Sequence, residues 1–185
     1  LGVSRNQRPG QTGQRRGDEV IGDAIRWLDD AGACPLFLWA HLYDPHRPYD
    51  PPEPYRSRHF DPYVGEIAFA DTQIGRLLDH LQEYGLLERT IVIVAGDHGE
   101  SLGEHGEENH GIFVYDSTLR VPWIMAGPGI PAGGTVDTVA RLVDVAPTLL
   151  ECAGIAGPGG VDGRSLCGAS AGRPLRDEPT YAESL

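Results

Sequence analysis

The run TIVIVAGDHGESLGEHG, residues 90–106, decides the fold that we predict for this chain. Its first six residues are apolar or β-branched and a glycine follows them, a pattern typical of a fully buried β-strand. Asp97 and His98 therefore emerge together at the carboxyl end of a core strand. In open α/β sheets this edge is where ligands bind. Adjacent oxygen and nitrogen donors at such a place favour a divalent-cation site.

Helix and strand patterns alternate on both sides of this run. Apolar residues recur at helical spacing over 18–31, 65–85 and 142–153, which predicts three amphipathic helices. Short apolar runs at 35–42 and 120–126 predict two further strands. This alternation is typical of an α/β fold with a mainly parallel sheet flanked by helices.

The remaining segments lack a regular pattern. Residues 1–17 are rich in Gly, Gln and Arg and are predicted to be a polar linker or loop. Residues 43–63 contain many prolines and are predicted to form an ordered loop across the strand ends. The chain stops in what looks like another strand, residues 180–183. Residues 18–185 are therefore expected to be part of a larger domain.

The composition limits the classes of function. The chain has 185 residues, of which 40% are hydrophobic and 23% charged, as expected for a globular domain. A formal net charge of −12 argues against a non-specific nucleic-acid binder, which needs positive charge to displace counterions. No apolar run approaches the roughly 20 residues of a membrane span. Cys34, Cys152 and Cys167 are far apart without C-x-x-C spacing, so neither a zinc site nor a disulfide is predicted.

Histidines are concentrated after the predicted strands. His41 lies at the end of the strand predicted at 35–42 and His46 follows it, whereas His105 and His110 lie in the loop beyond His98. If the strands at 35–42 and 90–95 are neighbours in a parallel sheet, these side chains gather at one edge. The alternative is that the glycines serve tight turns and the Asp–His pair is structural. Rigid loops around ionisable groups favour a preorganised site.

Several motifs in order resemble the sulfatase branch of the alkaline-phosphatase superfamily. They are DHG at 97–99, GEHG at 103–106, NHG at 109–111, LRVPWI at 119–124, PHRPY at 45–49, FADTQIGRLL at 69–78 and LVDVAPTL at 142–149. The resemblance covers about residues 17–166. It implies an alkaline-phosphatase-like α/β sandwich, of which this chain is a part.

The resemblance also implies a chemistry and a set of residues. The family hydrolyses sulfuric esters with a formylglycine nucleophile and a divalent cation, usually Ca²⁺, with Mg²⁺, Mn²⁺ and Zn²⁺ as alternatives. Asp97 and His98 would supply half of the metal shell. His46 would contact the sulfate or the leaving oxygen. His110 stands where many sulfatases place a lysine that contacts the sulfate, and an imidazolium also donates to an oxyanion.

The partner implied is a sulfated small molecule or glycan. Bacterial members of the family are commonly exported, so the resemblance implies a periplasmic or extracellular location. The long loop at 44–62 is expected to shape the substrate pocket. Its tyrosines and Tyr43 would either stack on a sugar or aryl ring or pack internally.

Two elements of the family pattern are absent from this chain. No Cys/Ser-x-Pro-x-Arg nucleophile motif is present, and the N-terminal Asp-Asp metal pair is missing. The chain is therefore interpreted as the C-terminal portion of a sulfatase catalytic domain, and we expect it to be inactive alone.

Three alternatives remain. Phosphoethanolamine transferases share the run at 97–104 and a histidine at position 110, but use Zn²⁺ and a threonine nucleophile. A phosphodiesterase or phosphonate monoester hydrolase of the same superfamily is a second alternative. A structural domain without catalytic activity is the third. The motifs at 119–124 and 45–49 favour a sulfatase.

Overall fold

A computed structural model describes residues 14–32, 34–169, 175–176 and 178–183. It contains two compact units, Leu1–Leu86 and Leu87–Leu185. Most of the polar linker predicted at 1–17 lies outside the described residues, and residues 14–16 have no regular structure. The boundary between this linker and the catalytic portion stays a prediction.

Two long helices build the first unit. Helix α1 (Gly17–Asp30) and helix α3 (Pro62–Glu83) pack together, and the short helix α2 (Tyr55–Arg58) packs on α3. The Asp61 carboxylate accepts the Tyr63 N–H at 2.9 Å, so an acidic cap and a proline start α3. The predicted helices at 18–31 and 65–85 are confirmed with bounds shifted by one to three residues. The buried apolar side chains of these two helices are Ile21, Ala24, Phe69, Ala70 and Leu81.

The strand predicted at 35–42 is not formed within the described part of the chain. These residues have no regular secondary structure and no ladder partner there. Phe37 is 73% exposed and Trp39 is 80% exposed. An apolar run becomes a buried strand only when a neighbouring strand satisfies its backbone groups and another layer covers its side chains.

The second unit contains a two-stranded sheet. Strand β1 (Val92–Ala95) and strand β2 (Trp123–Ala126) are antiparallel, with Val92 opposite Ala126 and Ala95 opposite Trp123. Both strands were predicted, and the α/β class is confirmed. A parallel sheet is not seen in the described residues, and the connection between β1 and β2 lacks the long crossover helix that usually joins parallel strands. The only α-helix between these strands, α4 (Asp116–Leu119), has four residues.

The end of the second unit is organised around helix α5 (Val145–Cys152), which follows a 3₁₀ turn at Leu142–Asp144. This agrees with the helix predicted at 142–153. Cys152 and Cys167 form a disulfide with a Cα–Cα distance of 5.6 Å. The prediction that the cysteines are unpaired is wrong for these two, because pairing depends on how the chain folds back and not on sequence spacing. The strand predicted at 180–183 is not formed, and none of the described helices is long and apolar enough to cross a membrane.

Candidate functional site

The loop that carries Asp97 and His98 is held at the end of β1 by backbone contacts. The Gly96 N–H donates to the Pro122 carbonyl at 3.2 Å, and the Gly99 N–H donates to the Thr118 carbonyl at 2.7 Å. A Cβ atom on Gly99 would lie 2.1 Å from the backbone oxygen of Ser117. Only glycine therefore fits where the loop crosses α4.

Asp97 and His98 have geometry that suits a shared cation. The His98 Nδ1 lies 2.9 Å from the Gly99 carbonyl oxygen, so we assign the proton to Nδ1 and the lone pair of the neutral ring to Nε2. This Nε2 lies 3.9 Å from the Asp97 Oδ1. Nitrogen and oxygen ligands bind a divalent cation at about 2.0–2.6 Å, so two ligands of one ion are at most about 5 Å apart. The pair therefore fits as two ligands of one ion.

These two side chains are only part of a metal shell. Within the described residues, no group of three or more His, Cys, Asp and Glu side chains is placed to hold a metal. Ca²⁺ takes about 6–8 oxygen ligands. Asp97 and His98 can thus hold a divalent cation only together with ligands from elsewhere.

His110 lies beside His98 and is oriented by a buried carboxylate. The two imidazole rings have centroids 4.0 Å apart. The His110 Nδ1 lies 2.9 Å from the Glu100 Oε1, and the Glu100 side chain is only 6% exposed. A carboxylate on Nδ1 fixes the orientation of an imidazole. Glu100 was not singled out in the sequence, where its proximity to His98 was the only signal.

His105 has a different environment from the other histidines of this loop. Its ring stacks on Tyr115 with centroids 4.1 Å apart, and its backbone is left-handed with φ 57°. Nearby, the Ser101 hydroxyl is fully buried and lies 2.8 Å from the Ser117 hydroxyl. These contacts order the loop between β1 and α4 and give His105 a packing role.

His46 belongs to the first unit, where its own neighbours fix it. Its Nδ1 lies 2.7 Å from the Tyr43 hydroxyl and 2.6 Å from the Arg47 carbonyl oxygen. The Tyr43 and His46 rings are stacked with centroids 4.2 Å apart. Tyr43 therefore packs internally, one of the two roles considered for it. His41 is exposed.

A buried carboxylate also supports the His46 loop. Glu66 on α3 accepts the backbone N–H of His46 at 3.0 Å and that of Asp50 at 2.7 Å. Glu66 was not predicted from the sequence. Its signal is the helical spacing, because position 66 shares a face with the apolar residues Phe69 and Ala70.

The structure thus brings three of the four predicted site residues together in the second unit, namely Asp97, His98 and His110. His46 lies in the first unit with a separate set of contacts. The described groups provide imidazoles oriented through Nδ1 and a carboxylate–imidazole pair suited to a cation. Such groups can stabilise negative charge on an anionic substrate.

Comparison with protein families and curated relatives gives a consistent picture. The family model described as Sulfatase matches residues 4–155. Human arylsulfatase K is 40% identical over 104 residues, which are 56% of this chain and 19% of that protein. The N-acetylglucosamine-6-O-sulfatase of Bacteroides thetaiotaomicron is 39% identical over 105 residues, which are 56% of this chain and 19% of that enzyme. The alignments therefore span about a fifth of the length of these relatives.

Solved structures share the fold. The putative sulfatase yidJ from Bacteroides fragilis matches with a TM-score of 0.79 and 22% identity, covering 86% of this chain and 42% of that one. The phosphonate monoester hydrolase from Silicibacter pomeroyi matches with a TM-score of 0.59 and 35% identity, covering 66% of this chain and 24% of that one. The structural neighbours have alkaline-phosphatase-like folds.

Proposed function

The chain belongs to the sulfatase family, and we propose that the complete protein is a metal-dependent hydrolase of sulfuric esters. The observation that carries the proposal is the proximity of Asp97, His98 and His110 after β1. These are the positions to which the family resemblance assigns metal and sulfate contacts. We propose a sulfated small molecule or glycan as the substrate, in line with the sulfatases among the relatives.

Asp97 and His98 would hold the divalent cation, for which we propose Ca²⁺. The ion, when bound, supplies Lewis-acid polarisation of the sulfate oxygens. The support from this chain is the 3.9 Å separation of Asp97 Oδ1 and His98 Nε2. The further ligands would come from parts of the protein outside this chain.

His110 and His46 would act on the sulfate group. In its imidazolium form, His110 would donate from Nε2 to a sulfuryl oxygen while its Nδ1–H donates to the Glu100 carboxylate. His46 would contact the sulfate or the leaving oxygen. Preorganised donors at these oxygens stabilise the charge that develops during sulfuryl transfer.

The nucleophile would lie elsewhere in the complete protein. This chain contains no Cys/Ser-x-Pro-x-Arg motif, so a formylglycine nucleophile would be supplied by the remaining part of the catalytic domain. The share of the relatives that this chain covers, 19% of human arylsulfatase K, supports that division.

We also propose that residues 35–42 become a sheet strand in the complete domain, as part of a mainly parallel sheet. The segment is apolar in sequence, and Phe37 and Trp39 are exposed although both are large and apolar. Slower amide exchange of residues 36–42 in the complete protein than in this chain alone would support the assignment. Equal exchange would contradict it.

A phosphonate monoester hydrolase is the second candidate. A solved enzyme of that type is 35% identical over 66% of this chain. Both reactions transfer a tetrahedral anionic group, so the described residues serve either one. The proline-rich PHRPY and LRVPWI motifs favour the sulfatase.

The deciding experiment compares two substrates with the complete protein. We expect kcat/KM for 4-nitrophenyl sulfate to exceed that for 4-nitrophenyl phenylphosphonate, and mass spectrometry to detect formylglycine. Asp97→Ala should lower kcat/KM at least about 100-fold, because even outer-shell partners of metal ligands cost roughly 10–100-fold. Asp137→Ala, an exposed carboxylate of the same unit, is the control. A preference for the phosphonate would establish the second candidate instead.

A further inference from the structure

Glu66 is a carboxylate on the buried face of α3. It is 4% exposed and shares this face with Phe69 and Gln73. A buried carboxylate is costly unless hydrogen bonds satisfy it. In this protein the donors come from the loop that carries His46, so the helix and the loop depend on each other.

Both oxygens of Glu66 bind that loop. Oε2 accepts the His46 N–H at 3.0 Å, and Oε1 accepts the Asp50 N–H at 2.7 Å. The carboxylate therefore bridges two backbone positions four residues apart. Backbone N–H groups that donate to a carboxylate form charge-assisted hydrogen bonds, which are stronger than neutral ones.

The helix backbone approaches the same loop one residue earlier. A Cβ atom on Gly65 would lie 2.8 Å from the Pro51 Cγ. The absence of a side chain at position 65 thus lets the loop lie close enough for Glu66 to reach its amides. Asp44 gives the loop a second attachment, because its Oδ2 accepts the Gly17 N–H at 2.7 Å.

The loop held in this way sets the place of the His46 ring. The imidazole stacks on Tyr43, and its Nδ1 lies within 2.7 Å of the Tyr43 hydroxyl. A backbone shift at position 46 would move the ring with it. A misplacement of about 1 Å in a catalytic group can cost roughly 100-fold in rate.

We propose that Glu66 is a positioning residue, which places His46 for sulfuryl transfer by binding the backbone N–H groups of His46 and Asp50. The role of His46 in this statement rests on the proposed function. Burial raises the pKa of Glu66 above its ordinary value, while the amides of Asp50 and His46 lower it. Loss of the amide donors would thus leave a poorly solvated carboxylate.

Kinetics of the complete protein test the catalytic part. Glu66→Gln replaces one acceptor oxygen with an NH₂ group, and we expect kcat to fall roughly 10- to 100-fold. Glu83→Gln, at the exposed end of α3, is the matched control and should change kcat less than about 2-fold. In a His46→Ala background, Glu66→Gln should have almost no further effect on kcat. An equal fall in both backgrounds would mean a general structural role and would overturn the proposal.

Amide exchange tests the positioning without activity. In the wild-type protein, the His46 and Asp50 amides should exchange slowly, and Glu66→Gln should speed both while Glu83→Gln leaves them unchanged. Fast exchange in the wild-type protein would overturn the proposal even if Glu66→Gln does not fold. Absence of sulfate-ester turnover by the wild type would instead contradict the proposed function and leave the exchange result decisive for the loop.

Discussion

Three histidines in this protein are oriented in the same way, through a contact at Nδ1. The partner of Nδ1 is the Gly99 carbonyl for His98, the Glu100 carboxylate for His110, and Tyr43 together with Arg47 for His46. Nε2 lies on the opposite edge of each ring. Fixing one nitrogen sets the direction of the other, as in the metal and acid–base sites of many proteins.

The donor role proposed for His110 can be tested by substituting lysine, the residue that many sulfatases carry at this position. His110→Lys keeps a donor to the sulfate, so we expect kcat/KM for 4-nitrophenyl sulfate to stay within about 10-fold of the wild type. His110→Ala removes the donor and should cost roughly 10²- to 10³-fold, the usual loss for one oxyanion contact. Steady-state kinetics of the complete protein measure both.

The control for this pair is His59→Ala, a histidine at the end of α2. It should leave kcat/KM near the wild-type value. Equal losses for His110→Lys and His110→Ala would show that position 110 does not act as a donor to the substrate.

At the scale of the elements, local patterns predicted α1, α3, β1 and β2 within a few residues, because helical spacing and apolar runs report the buried face directly. The sequence pattern could not show which residues distant in sequence contact each other in the fold. Glu66 binds the loop of His46 and Glu100 contacts the His110 ring across the fold. Cys152 pairs with Cys167 only because the chain reverses between them. The strand predicted at 35–42 is not formed in the described residues for the same reason, because a strand needs a hydrogen-bonded partner strand.

The start of α5 depends on one buried carboxylate. Asp144 is fully buried and accepts hydrogen bonds from the Arg141 guanidinium at 2.8 Å and the Arg164 N–H at 2.9 Å. Burial raises the pKa of Asp144, but the bonds from Arg141 and Arg164 outweigh it and the net pKa is lowered from 3.8. Glu178, 2.9 Å from the Arg141 guanidinium, is the other titratable group of this cluster.

We predict that Asp144→Asn destabilises the protein by at least about 2 kcal/mol at pH 7, because hydrogen bonds to a charged group contribute roughly 1.5–3 kcal/mol. A lowered native pKa means that this stabilisation is present above the unfolded value of 3.8. It should be lost as the pH falls through the lower native value. Urea unfolding from pH 7 to pH 3 measures the difference.

The same urea-unfolding series on Glu178→Gln separates the contributions of the two carboxylates to stability. The free energy of unfolding of Glu178→Gln should differ less from the wild type than that of Asp144→Asn, because the Glu178 side chain is 43% exposed. If the free energy of unfolding of the wild type exceeds that of Asp144→Asn by a growing amount as the pH falls, the pKa of Asp144 is not lowered in the folded protein.

The disulfide gives a second prediction for this region. Cys152 and Cys167 are 15 residues apart, and closing such a loop stabilises a protein by about 3 kcal/mol in the chain-entropy model. The double variant Cys152→Ser/Cys167→Ser should therefore melt at a lower temperature than the wild type. Thermal unfolding monitored by circular dichroism measures the shift.

Thiol counting checks the pairing itself. Without reduction, only the exposed Cys34 should react with a thiol reagent, and reduction under denaturing conditions should raise the count to three. Cys34→Ser is the matched control and should leave the melting temperature unchanged. Three reactive thiols without reduction would contradict the pairing.

At the scale of the whole molecule, exposed apolar side chains and an incomplete metal shell both support our proposal that this chain works as part of a larger catalytic domain. The first unit exposes Phe37 by 73% and Trp39 by 80%, and the second unit exposes Ile124 by 61%. Large apolar side chains left in water often belong to interaction surfaces. Asp97 and His98 offer two ligands where a cation needs more. Both observations have one explanation if further segments cover the apolar side chains and complete the metal shell.

We therefore predict that residues 1–185 alone do not hydrolyse 4-nitrophenyl sulfate, whereas the complete protein does. A unit that lacks its nucleophile loses nearly all of its catalytic effect. The two proteins are compared at equal concentration with added Ca²⁺, and the complete protein carrying Asp97→Ala serves as the inactive reference. Because Asp97 and His98 supply only two ligands, calcium titration should show weaker binding to the isolated chain than to the complete protein. Turnover by residues 1–185 above the Asp97→Ala reference would mean that this chain holds a whole active site, and the division proposed here would be wrong.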